Sequence, residues 1–141
     1  DMVKGYDGFF LEAINRCLSI FPSERLQNAR EWRDLIDTER LFAFRALWFA
    51  RGDLSEQPGM DENLWGANSN AHDRPLPALW REQHVCRTDH VYLFRSLDQA
   101  AVDRSGIANG ARVSVRAIPW LIAGHERHHL NVLHERYGVG R

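Results

Sequence analysis

Two histidines spaced four residues apart are the side chains of this sequence best suited to hold a metal ion. His125 and His129 lie in the apolar segment from Ile118 to Tyr137. If that segment is a helix, the pair places two imidazoles on adjacent turns of one face, where both can reach a divalent cation about 2 Å from each nitrogen. The alternative is that both histidines are core or helix-edge residues that are hydrogen-bonded to their neighbours. The pair inside an apolar stripe favours the metal site.

A third ligand must come from another segment, and Asp34 is the candidate. At about 100° per residue, Asp34 shares a helix face with Thr38, Leu41 and Arg45. This face is expected to look into the protein. A buried carboxylate needs a metal, a cation or a hydrogen-bond donor beside it. Both metal ligation by Asp34 and a salt bridge to Arg45, Arg30 or another helix therefore stay open, whereas Glu39 and Asp37 are expected to be solvated or to support the ligands.

Four helices are predicted to position these groups. Apolar residues recur at helical spacing over residues 6–21, 23–51, 76–97 and 114–137. Pro22 ends the first helix, and Ser23 and Ser114 can cap the second and the last. Pro119 would remove one hydrogen bond of the last helix, so its true start is expected a few residues after Ser114.

The connections between these helices are predicted to be long. From Gly52 to about Arg74, Gly, Pro, Asn, Ser and Asp interrupt every apolar cluster, which indicates an irregular segment of a kind that is often functional. The stretch from Asp98 to Arg112 holds a turn signal at Asn109-Gly110 and has room for one helical turn. Strand patterns are nearly absent. The prediction is an all-α, four-helix bundle with long connections between helices 2 and 3 and between helices 3 and 4.

Size and composition predict a soluble protein of one domain, residues 1–141. A net charge of -1 gives no field for capturing nucleic acid. No apolar run approaches the roughly 20 residues needed to cross a membrane, and no secretory signal is visible. The two cysteines, Cys17 and Cys86, are too few for a secreted disulfide framework. We therefore expect free thiols and a cytoplasmic location.

Several blocks of this sequence follow one another in an order that is typical of a known family. The most recognisable block is Ile122-Ala123-Gly124-His125-Glu126-Arg127-His128-His129-Leu130. The other blocks are Leu35–Arg40, Phe44–Leu47, Phe49–Asp53, Pro58–Glu62, Phe94–Asp98, Ala108–Gly110 and Val113–Arg116. Over roughly residues 35 to 137 these blocks resemble those of the DinB-like superfamily, which includes YfiT-like metal-dependent hydrolases and thiol-dependent transferases.

This resemblance implies a four-helix bundle, commonly a homodimer, that holds a divalent metal with three histidines. Two of the family's histidines match His125 and His129. The third normally stands directly before the Leu-Ile-Asp motif, a position that Asp34 takes here. If Asp34 ligates, two histidines and one carboxylate can bind Zn, Ni, Fe or Mn and leave open positions. If it does not, the chain is a metal-free relative of the fold.

Two functions follow from these residues. The first is a divalent-metal-dependent hydrolase or thiol-dependent transferase that acts on a small-molecule or thiol substrate entering beside the 53–73 loop. The second is a non-catalytic, metal-free dimeric bundle that serves as a binding or structural module. Aromatic residues on the second helix, including Phe42, Phe44, Trp48 and Phe49, would supply its dimer interface.

Overall fold

The structure is a computed structural model that describes the backbone of residues 29–137 and the side chains of residues 33–132 and of Glu135. The predicted helix over residues 6–21, the residues up to 28 and Cys17 lie outside the described residues. The elements follow in the order α1 (Ala29–Ala50), α2 (Glu62–Asn68), α3 (Leu76–Ser96), α4 (Gln99–Asp103), β1 (Ser105–Ala108), β2 (Ala111–Ser114) and α5 (Ile118–Tyr137).

The three long helices, α1, α3 and α5, agree with the predicted segments where those are described. α1 packs against both α3 and α5. It ends at Ala50, and the turn after it contains Gly52, whose amide donates to the Phe49 carbonyl and whose φ of 87° suits a residue without a side chain. Within the described residues, no helix is both long and apolar enough to cross a bilayer.

The last helix begins a few residues after Ser114, as the position of Pro119 in the sequence predicted. The Ser114 hydroxyl accepts from the Ala117 amide and caps a 3-10 turn over Val115–Ala117. α5 then starts at Ile118. Pro119 falls in the first turn, where its missing N–H leaves no hydrogen bond unmade.

The two connections are more regular than the sequence predicts. The first contains α2 and a 3-10 turn over Ala71–Asp73. The second contains α4 and an antiparallel hairpin, β1–β2, so the expectation that strands are nearly absent is wrong there. Asn109 and Gly110, with φ of 52° and 73°, form the hairpin turn that this dipeptide favours. Gln57 pairs with β1 through hydrogen bonds to Ile107 and Asn109, which joins the two connections.

The described core consists of two apolar clusters separated by a buried polar layer. The larger cluster surrounds Phe49 and Val102, and the smaller one holds Leu35, Ile36 and Leu79. The buried polar or charged residues are Thr38, Glu39, Arg45, Gln83, Arg87, His90 and Glu126. Such groups are costly to bury without partners, so their contacts define the polar interior of this protein.

Candidate metal centre

α1 and α5 bring the three predicted ligands together. His129 Nε2 lies 2.8 Å from Asp34 Oδ2, and His125 Nε2 lies 3.5 Å from the same oxygen. The two imidazole Nε2 atoms are 3.1 Å apart. Asp34, His125 and His129 thus form one group of three ligand atoms, and all three side chains are partly buried. Of the salt bridges that the sequence left open for Asp34, the one to Arg45 is not formed among the described side chains, and the Arg30 side chain lies outside them. The partners from another helix are His125 and His129 themselves.

The electrostatics of the group favour an ionised carboxylate. Hydrogen bonding to His125 and His129 holds the pKa of Asp34 well below its usual range, because it outweighs the opposing effect of burial. The His125 ring also meets the Phe42 ring edge-on, with centroids 6.5 Å apart. Asp34 therefore presents a negatively charged oxygen to two nitrogens whose orientation packing helps to fix.

The spacing of the three atoms fits a single cation. Ligand atoms about 2.0–2.1 Å from one metal, at octahedral or tetrahedral angles, are separated from each other by about 2.9–3.4 Å. The observed separations run from 2.8 to 3.5 Å. The chemistry of the set, two borderline nitrogens and one hard oxygen, suits Zn, Ni, Fe or Mn. Three protein ligands would leave positions for water or substrate, as in catalytic sites.

A second buried group, Glu39, Cys86 and His90, also has ligand-type atoms close together. Arg87 Nε already donates to Glu39 Oε1 at 2.6 Å, and His90 Nδ1 lies 3.2 Å from the same oxygen. Burial, and then the charge of Glu39, raises the pKa of the Cys86 thiol to about 12, which keeps this free cysteine protonated at neutral pH. A metal there would have to displace the guanidinium, so we assign the group to the protein's interior hydrogen bonding.

The same interior network reaches the helix that carries the histidines. Arg87 Nη2 donates to Glu39 Oε2 and to Glu126 Oε2, each at 2.8 Å. Glu126 directly follows His125, so Arg87 on α3 ties α1 to this part of α5. Of the two roles expected for Glu39, solvation is wrong, because only 3% of the residue is exposed. Gln83, Arg87 and His90 recur at helical spacing on α3. This polar pattern in the sequence could have indicated the buried partners of Glu39.

A cleft of about 630 Å³ opens beside His125. One wall is α1, through Thr38, Leu41, Phe42 and Arg45, and residues of the hairpin and the start of α5 form another. Met60 and Glu62 come from the 53–73 segment that the sequence placed at the substrate entrance. A ligand in this cleft would touch one of the three candidate metal ligands.

The fold and the site together define a mostly helical protein with a two-histidine, one-carboxylate candidate metal centre. Its structure is similar to that of YfiT from Bacillus subtilis, described as "a probable metal-dependent hydrolase with an unusual four-helix bundle topology". The TM-score is 0.69 at 12% sequence identity, over 93% of this chain and 83% of that one. The chain therefore has the YfiT-like fold that the resemblance implied. No protein-family model matches the chain, and no curated protein sequence does either.

Proposed function

We propose that this protein is a metal-dependent hydrolase that binds one divalent cation through Asp34, His125 and His129. The observation that carries the proposal is the convergence of one carboxylate oxygen and two imidazole nitrogens within 3.5 Å of each other. Such a set is common in hydrolytic metal sites. The likeness to YfiT, described as a probable metal-dependent hydrolase, supports the same conclusion.

A bound divalent cation would supply Lewis-acid chemistry, lowering the pKa of water or of a substrate thiol. The chain's own residues would do the rest. Asp34 would contribute one negative charge and both histidines would be held as neutral donors of electron pairs. The cleft beside His125 would hold the substrate against this group. Hydrolysis and thiol-dependent transfer use the same site, and they differ in whether a small thiol must be present.

The test is the metal content of protein purified without a histidine tag, followed by an activity screen. We expect about one divalent ion per chain in the wild type and strong loss in His125→Ala and His129→Ala. His128→Ala is the matched control, because His128 is an exposed neighbour whose ring lies 5.5 Å from that of His129. Ester and amide substrates should then be assayed with and without a thiol, and turnover that requires the thiol would identify a transferase. Unchanged metal content in both alanine variants would overturn the proposal.

The second candidate is a metal-free homodimeric binding module, and one observation favours it. Phe44 and Leu47, one turn apart on α1, are 48% and 37% exposed, whereas Phe49 is fully buried in the core. Large exposed apolar side chains are frequent at homodimer interfaces. Light scattering at micromolar concentration should give a dimer that Phe44→Ser weakens, with Tyr92→Ser on α3 as the exposed control. A monomeric wild type would contradict this candidate, and a metal-free wild-type dimer would favour it over the hydrolase.

A further inference from the structure

Arg45 is a buried cation without an anionic partner among the described side chains. Only 6% of the residue is exposed. Its Nη2 donates to the Pro58 carbonyl at 2.6 Å, while its Nε has no hydrogen-bond partner. Burial lowers the pKa of the guanidinium, and no described carboxylate lies within ion-pair distance to offset that effect. A buried arginine normally has a carboxylate or another anion beside it, so this one calls for an explanation.

The place of Arg45 in the fold supplies one. It lines the cleft that also reaches His125. Anchoring Pro58 uses one of the five N–H donors of the side chain. The Phe42 ring, whose centroid lies 5.9 Å from Arg45 Cζ, attracts the cation more weakly than a carboxylate would. Holding the loop in place therefore does not account for an arginine at this position.

Thr38 adds a second unmet polar group on the same wall. Its hydroxyl is buried and has no hydrogen-bond partner, and the residue is 5% exposed. Thr38 stands one turn after Asp34 and two turns before Arg45, so the three residues share one face of α1. This face of α1 thus carries a candidate metal ligand, then an unpartnered hydroxyl and then a cation without a carboxylate partner, and the last two line the cleft.

We propose that the cleft binds a substrate with a carboxylate group, which Arg45 receives while the reacting end lies at Asp34, His125 and His129. The assignment of this ligand as the substrate rests on the proposed hydrolase function. Guanidinium and carboxylate are planar groups that match in charge and in the spacing of donors and acceptors. The charged side chains that line the cleft are Arg45, Arg112 and Glu62. Two cations and one carboxylate leave a single net positive charge, which suits a monoanion better than a doubly charged phosphate.

The helix sets the scale of this substrate. Asp34 and Arg45 are separated by about 16 Å of axial rise at 1.5 Å per residue. Because helical side chains lean toward the N-terminus, the Arg45 guanidinium reaches back toward the metal group. The carboxylate and the reacting group of the substrate would then lie on the order of 10 Å apart. This separation corresponds to an extended small molecule that is longer than an amino acid or a short hydroxy acid.

The test measures binding of hexanoate to the metal-free protein by two-dimensional amide NMR, so that the carboxylate cannot ligate a metal instead. We expect saturable shifts at cleft residues such as Thr38, Met60 and Asn109. Hexanamide, which has no charge, should shift them far less. Arg45→Met should weaken hexanoate binding about tenfold or more, as expected for loss of a charge-assisted hydrogen bond. Arg40→Met is the matched control, because Arg40 is an exposed arginine of the same helix that pairs with Glu82.

Several results would overturn the proposal: equal shifts with hexanamide, unaltered affinity in Arg45→Met, or binding of inorganic phosphate in preference to hexanoate. If Arg45→Met does not fold, Arg45→Lys and the wild-type shift map decide the question. Metal content separates this inference from the proposed function. Hexanoate binding lost in Arg45→Met with metal content retained supports the carboxylate site. Wild-type protein that binds hexanoate through Arg45 but holds no metal would leave the carboxylate site standing and refute the hydrolase.

Discussion

Among single residues, Asp34 decides which metals the candidate centre would prefer. A carboxylate is a harder ligand than an imidazole and adds one negative charge, so it favours Mn and Fe more than a third histidine would. We predict that Asp34→His raises affinity for Zn relative to Mn by roughly tenfold, and that Asp34→Ala lowers affinity for every divalent ion by about 100-fold. Competition with a chromophoric chelator measures both changes.

Asp37→Asn provides the control for these variants. Asp37 is an acid of the same helix, but its carboxylate pairs with Arg33 at 2.7 Å and is not part of the candidate centre. Its replacement should leave metal affinity unchanged. If Asp34→Ala bound Zn as tightly as the wild type, Asp34 would be a neighbour of the histidines and not a ligand.

The three candidate ligands could be predicted from the sequence because each shows a local pattern. His125 and His129 share a face by their spacing, and Asp34 falls on the inward face of its own helix. The structure brings them together as expected, although metal binding itself stays a prediction. Glu39 could not be placed in the same way. It is buried because Arg87 and His90 meet it from another helix, and a helical period carries no information about partners from other segments.

Between elements, Arg87 is the side chain that joins α1, α3 and α5. It pairs with Glu39 and Glu126 in a site where all three side chains are nearly inaccessible to water. We predict that Arg87→Met lowers the free energy of unfolding by about 3–5 kcal/mol, because it leaves two buried carboxylates without their shared cation. Urea unfolding at pH 7 measures the loss. The control is Arg95→Met, an exposed arginine near the end of α3, which should change stability by less than about 0.5 kcal/mol. An equal effect of the two substitutions would contradict the role of Arg87.

This network also predicts how stability varies with pH. Burial opposes ionisation of Glu39, but hydrogen bonds to His90 and Arg87 outweigh it, so the pKa of Glu39 is lower in the folded protein than in the unfolded chain. The stabilisation is therefore complete above the ordinary glutamate pKa of about 4.5 and is lost as pH falls through the lower folded pKa. Urea unfolding between about pH 6 and pH 3 should show a falling free energy of unfolding. Glu39→Gln should flatten that slope, and an identical slope in this variant would refute the assignment to Glu39.

The contact between the hairpin and α1 depends on Gly106. A β-carbon at this position would lie 2.1 Å from Cε1 of Phe49, a ring with no exposed surface and no room to move. We predict that Gly106→Ala destabilises the protein by about 1–3 kcal/mol through overpacking. Gly124→Ala is the matched substitution, and its expected effect on stability is the opposite. Nothing lies within 4 Å of the added β-carbon, so alanine should stabilise α5 by about 0.5–1 kcal/mol. Thermal unfolding of both variants checks the pair, and stabilisation by Gly106→Ala would show that the hairpin packs differently.

The long helices and the hairpin differ in how far sequence alone could predict them. α3 and α5 extend over about 20 residues of regular apolar spacing, with proline and serine signals near their starts, so local pattern is sufficient. Each hairpin strand has four residues, too few for an alternating pattern to stand out. Its turn at Asn109-Gly110 was visible, but its position depends on Gln57 and Phe49, which are distant in sequence. Contacts of this kind are set by the whole fold and not by the segment.

For the whole molecule, metal binding should be coupled to folding, because the candidate ligands come from opposite ends of the described chain. Asp34 lies on α1 and both histidines lie on α5, so the group forms only when these helices are packed. A ligand that binds only the folded state stabilises it by about 2.7 kcal/mol at a free concentration 100 times its Kd. For a protein of this size that corresponds to a rise in Tm of roughly 10 °C. We therefore predict that Zn or Mn raises the Tm of chelator-treated protein by this amount in a calorimetric titration. His128→Ala should show the full rise and His129→Ala little of it. An unchanged Tm in wild-type protein at saturating metal would mean that the two helices do not share a cation, and the function would then have to be sought in the dimeric, metal-free alternative.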